Sequence, residues 1–216
     1  MALIPVSSTA STYFEINNTE AIRVQKNLIK EWEPKREVWP LRYGEYIMGI
    51  TAGINGLIIN SIFRKKLKVL HHGLIFTTAS LTITPLFITT FNYNYLITNN
   101  FLLYNKDCLA CEYLKAISII QLCGIIYPIT VSPMINLTIA GKLGYRVPYM
   151  TEVRETLQFW WNAVKPASNR ILILSICNSI IASLIVYKQS WAMDNVMNIL
   201  LRIQKKIDDG TIILKE

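Results

Sequence analysis

The sequence predicts an all-α, polytopic membrane protein: a bundle of about four transmembrane helices with amphipathic helices at the membrane surface. Three observations carry this prediction. The chain of 216 residues is 52% hydrophobic, with a mean hydropathy of +0.32, which is apolar for a soluble domain. Four apolar runs, at about 44–63, 73–91, 114–137 and 171–187, have the length a helix needs to cross hydrocarbon. The formal net charge of +8 gathers beside those runs and not on a separate polar domain. That pattern suits anionic lipid head groups and topology signals, and argues against nucleic acid as a partner. The implied organisation is an N-terminal tail with an amphipathic helix (1–43), a membrane domain (44–187) and an amphipathic C-terminal tail (188–216).

Residues 1–18 are rich in Ser, Thr and Asn and lack the basic residues of a secretory or mitochondrial leader, so no cleaved leader is expected. From Thr19 onward Ala21, Val24, Leu28 and Trp32 recur at helical spacing. Pro34 and Pro40 bracket a charged connector. Trp32, Trp39 and Tyr43 suit head-group level, where an aromatic ring finds both wet and apolar surroundings; a solvated amphipathic helix is the alternative.

The first span, Gly44–Phe63, ends against Arg64, Lys65, Lys66 and Lys68, expected as membrane-surface anchors. Gly49, Gly53, Gly56 and Asn60 share one face of it. A face without side chains lets another helix approach closely, and Asn60 can hydrogen-bond across the contact. Either a partner protein or another helix of this chain fits that face. His71 and His72 close the following loop and point in different directions on a helix, a poor metal arrangement.

The second span carries Pro85, which predicts a kink eased by neighbouring Thr hydroxyls. Residues 92–113 form a gap without a basic cluster, holding Cys108 and Cys111. A structural metal site needs further ligands, and a redox Cys-x-x-Cys normally stands in a βαβ context. A local disulfide or two free thiols fits better, and no cofactor or metal is expected. Cys123 and Cys177 lie in apolar runs as small packing residues.

In the third span Tyr127-Pro128 and Ser132-Pro133 predict a bent or broken helix. A basic loop follows, at 138–170. In it Val153, Leu157, Trp160, Trp161 and Val164 mark an amphipathic helix on the membrane surface, with the two Trp as anchors. In the last span Ser175, Ser179 and Ser183 stack at four-residue steps, a small polar face suited to protein and not lipid. Beyond Trp191, Val196, Leu200, Ile203 and Ile207 line one face of the tail. The two basic loops point to one side of the membrane, opposite both termini.

Four short motifs in order give the chain a resemblance. They are Gly56-Leu57-Ile58-Ile59-Asn60-Ser61-Ile62-Phe63-Arg64-Lys65, Asp107-Cys108-x-x-Cys111, Tyr127-Pro128, and Trp160 to Lys165-Pro166. Over roughly residues 44–187 the chain resembles the transmembrane protein 126 family of mitochondrial inner-membrane proteins. The resemblance implies a non-enzymatic assembly factor for respiratory complex I, multi-pass in the inner membrane. Its implied partners are membrane-arm subunits of complex I and other assembly factors. One branch of the family works in the mitochondrial complex I intermediate assembly complex; the other is linked to a more distal module. The competing reading from the residues is a small transporter or channel built on the bent third span, although Gln121, Asn178 and hydroxyls are its only polar lining. A thiol-redox role for Cys108 and Cys111 is the third.

Overall fold

The computed structural model describes residues 18–67, 73–103, 108–142 and 153–209. Lys68, His71, His72 and Asp107 fall outside them. Four helical stretches, Lys35–Lys66, Leu74–Leu102, Leu109–Gly141 and Trp160–Ile207, are long and apolar enough to cross a membrane.

Helix α1 (Asn18–Glu31) is amphipathic and buries Ala21 and Ile29. Helix α2 (Lys35–Leu67) starts well before the apolar run and contains Pro40. The charged connector expected between Pro34 and Pro40 is therefore mostly helix. A Pro near a helix start forfeits little, because its missing N–H leaves only the Arg36 carbonyl without a helical donor. Helix α3 (Leu74–Tyr93) continues through a π-helical turn (Asn94–Thr98) into α4 (Asn99–Leu102). Much of the gap expected at 92–113 is thus helical: Tyr93, Ile97 and Phe101, at four-residue steps, all bury one face.

Helix α5 (Leu109–Gln121) passes through a second π-helical turn (Leu122–Ile126) into α6 (Tyr127–Lys142). The third span stays continuous despite its prolines. Pro128 cannot donate to the carbonyl of Gly124, and the π turn just before it absorbs the mismatch. Surface helix α7 (Val153–Val164) leads through Lys165–Ala167 into α8 (Ser168–Asp208). The last span and much of the tail form this one helix of 41 residues.

Helix α2 is the central element, packed by α3, α6 and α8. The main core runs along it, with Met48 and Ala52 against Tyr93, Ala116, Ile120, Ala182 and Val186. Toward the α1 end of the bundle this core continues as a cap in which Ile29 of α1, Leu102 of α4, and Met193 and Val196 of α8 join the same cluster. The outward faces stay apolar: Phe76, Phe87 and Phe91 on α3 and Ile173, Ile176 and Ile180 on α8 are exposed, as lipid-facing residues must be.

The glycine face of α2 lies against α3. At Gly56 an added Cβ would stand 1.9 Å from the Leu81 carbonyl oxygen, and at Gly53 3.2 Å from that of Thr82. Gly49 faces Thr90 and the Leu86 carbonyl. The Leu81 carbonyl is the one that Pro85, four residues on, cannot satisfy. The Cα–H of Gly56 points at it, a weak hydrogen bond that requires the side chain to be absent. Gly73, ahead of α3, has φ 63°, a left-handed conformation that favours glycine, while the nearby Ile139 Cδ1 could shift to admit a Cβ.

Gly56→Ala should therefore cost about 2 kcal/mol or more of stability, and Gly53→Ala about 1 kcal/mol or less. Thermal unfolding of the purified protein in detergent checks the order. Equal costs would remove the special role of the Gly56 contact.

Candidate functional site

A polar cluster sits inside the bundle near the end of α2. Asn60 and Arg64, one helical turn apart on α2, both point inward; they are 1% and 5% exposed. Arg64 Nη1 donates to Thr77 Oγ1 at 2.8 Å and to Asn136 Oδ1 at 3.4 Å. Asn136 Nδ2 donates to Asn60 Oδ1 at 3.1 Å, and Asn60 Nδ2 to Thr78 Oγ1 at 3.3 Å. Ser132 Oγ closes the ring on Asn60 Oδ1 at 3.5 Å. The cluster ties α2, α3 and α6 at one height, since sliding any helix by a turn would break several of these bonds.

Three smaller contacts repeat the device. Asn55 Nδ2 donates to Asn178 Oδ1 at 3.0 Å, joining α2 to α8. Gln121 Nε2 donates to the Ser175 carbonyl at 2.9 Å and to Ser179 Oγ at 3.0 Å, joining α5 to α8. At the opposite end Tyr93 Oη donates to Gln189 Oε1 at 2.9 Å, and Gln189 Nε2 to the Pro40 carbonyl at 3.0 Å. These groups are neutral amides and hydroxyls with one guanidinium among them. They can fix helix register and bind polar groups, but they assemble no nucleophile–base pair. Among the described residues no group of three His, Cys, Asp or Glu could hold a metal ion.

The structure distributes the expected site residues as follows. Gly49, Gly53 and Gly56 meet α3 of the same chain, and Asn60 joins the cluster. Ser175 and Ser179 face Gln121, while Ser183 Oγ turns back to the Ser179 carbonyl at 2.8 Å. Cys108 and Cys111 are paired, with Cα atoms 5.3 Å apart, in the exposed first turn of α5. Lys65 and Lys66 are exposed, and Lys66 Nζ donates to the Asn162 carbonyl, fastening α7 to the end of α2. Trp161 is exposed, whereas Trp160 is half-buried and donates from Nε1 to the Ile129 carbonyl at 3.0 Å. Arg64 differs from expectation. It is buried, and its guanidinium turns inward to Thr77 and Asn136 and not out to the membrane surface.

Sequence reasoning missed Thr77, Ser132 as a network member, Asn136, Tyr93 and Gln189. Asn136, four residues after Ser132 in an apolar run, was the available signal. It also missed a contact at the other end of α2. There the half-buried Glu45 accepts from Asn94 Nδ2, and Asn94 Oδ1 accepts from Lys26 Nζ at 3.1 Å.

Asn136→Leu withdraws an acceptor from the buried Arg64 and a donor from Asn60, and should cost about 3 kcal/mol. Arg64→Met in the same chain should recover part of that loss, so the double variant costs less than the sum of the singles. Unfolding of the four proteins in detergent measures the coupling. Simple additivity would show that Asn136 does not hold Arg64.

The chain is similar in sequence to known proteins. It is 29% identical to Transmembrane protein 126 of Drosophila melanogaster over 154 residues, 70% of this chain and 69% of that one. It is 23% identical to mouse Transmembrane protein 126A over 149 residues, 69% and 74% of the two chains. Rat Transmembrane protein 126A is 22% identical over the same number of residues, again 69% and 74%. No solved structure matches. The family model for Transmembrane protein 126 matches residues 19–201, taking in α1 and most of α8 beyond the four motifs. The chain belongs to the transmembrane protein 126 family.

Proposed function

We propose that the protein is a non-enzymatic assembly factor for respiratory complex I, acting in the mitochondrial inner membrane. Family membership is the observation that carries this reading. Its partners are membrane-arm subunits awaiting their neighbours, together with other factors of an intermediate assembly complex.

The packing refines how such a factor works. The small-residue face of α2 is occupied by α3, so it offers no seat to a subunit. The outer faces of α3 and α8 are open within the bilayer, through Phe87 and Phe91 and through Ile176 and Ile180. A subunit held there exchanges lipid for protein contacts, which differ little in hydrophobic free energy. Such a contact is readily released when the permanent neighbour arrives. The exposed Leu201 and Ile203, near the end of α8, offer a separate seat for factors outside the membrane.

Depleting the protein should lower assembled complex I on a native gel and leave membrane-arm fragments, with the other respiratory complexes unchanged. Normal complex I after full depletion would sink the proposal. A photo-crosslinking residue at Phe87 or Ile176 should capture membrane-arm subunits, whereas one at the buried Leu81 should not. Equal capture at all three positions would refute the outer-face mechanism.

A further inference from the structure

We propose that the cleft between α1 and the start of the α2 span holds the phosphate of an anionic phospholipid, with one acyl chain laid along α2. Lys26, Lys30 and Arg42 converge on a cleft of about 420 Å³. The single carboxylate there, Glu45, is engaged by Asn94. Among the described residues neither Lys30 nor Arg42 forms an ion pair, and Arg42 lies over the Tyr43 ring at 5.4 Å. The cleft thus keeps an excess of positive charge. Ile29, Leu41 and Leu102 supply its apolar side. A phosphate esterified to glycerol needs both surroundings.

The height of the cleft fits a head group. From Arg42 to Arg64 the helix rises about 33 Å, close to the thickness of the hydrocarbon core. Arg42 therefore stands at one head-group layer when Arg64 stands near the other. Exposed Trp39, Tyr43 and Trp191 belong to the same end, where an aromatic belt is expected. Lys188, 5.8 Å from the Trp191 ring, marks the same level on α8.

The route out of the cleft separates a lipid from a free anion. Tyr46 lines the cleft and begins an exposed stripe of Tyr46, Ile50, Ile54 and Ile58. The four-residue spacing keeps them on one side of α2, descending about 18 Å into the hydrocarbon. An acyl chain attached to the bound phosphate would follow that stripe; inorganic phosphate gains nothing from it.

The test uses the full chain in detergent with phosphatidylglycerol and phosphatidylcholine in equal amounts, with retained lipid counted by native mass spectrometry. Phosphatidylglycerol should be retained in preference. Lys30→Gln and Arg42→Gln should each lower its retention about fivefold, as removal of one cation near a charged lipid predicts. Lys205→Gln, on the far part of α8, should leave it unchanged. Lys30→Arg keeps the charge and should keep the lipid, which separates loss of binding from loss of fold. Equal retention of the two lipids overturns the proposal, as does loss in Lys30→Arg matching that in Lys30→Gln. Full displacement by excess inorganic phosphate would mean a free-anion site and overturn it as well.

Discussion

In hydrocarbon a backbone carbonyl has no water to fall back on, so each must find a donor within the protein. Pro85 creates such a carbonyl at Leu81 in the middle of a span, and Gly56 answers it from the neighbouring helix. Much else in the bundle depends on that meeting. It holds α3 at backbone distance from α2 and sets the height of one helix against the other. With that height fixed, Asn60 stands opposite Thr78, and Arg64 opposite Thr77. The glycine pattern, the proline and the polar cluster are parts of a single packing solution.

The same logic governs the rest of the membrane domain. Apolar side chains cannot drive helices together in lipid, because tails solvate them as well as protein does. Discrimination among helix registers falls to close backbone approach and to polar pairs. Asn55 with Asn178, Gln121 with Ser179, and Tyr93 with Gln189 each join two helices at a defined height. With these pairs turned inward, the outer surface is left almost wholly apolar. That division explains how one small bundle can be rigid inside while its exterior remains exchangeable between lipid and protein.

The fold class and the four spans were legible from hydropathy, since a run such as Leu114–Leu137 has no other stable place. The cleft at Lys26 was not, because it joins residues 68 positions apart whose separate patterns are those of ordinary helix surfaces. Arg64 was misplaced for a related reason. A cation ending an apolar run normally reaches for lipid phosphate, and only knowing that Thr77 and Asn136 stand beside it reverses the choice. The continuations of α3 and α8 past the apolar runs were blurred because polar residues such as Asn94 and Asp194 interrupt the apolar count. Their buried faces, Tyr93 to Phe101 and Met193 to Val196, nevertheless kept helical spacing. The prolines predicted a kink at Pro85 and a bent or broken third span; of these the break does not occur, since a π turn before Pro128 lets the third helix continue.

The unbroken course of α8 has a mechanical consequence. Its 41 residues run from the last span to Asp208 without a hinge. A membrane helix tilts when the bilayer thins and straightens when it thickens. Beyond Lys188 the helix extends about 30 Å, so a tilt of about 10° swings its far end by about 5 Å. Because Met193 and Val196 tie this segment to the common core, a tilt of the bundle in a bilayer of different depth would carry Leu201 and Ile203 with it as one body.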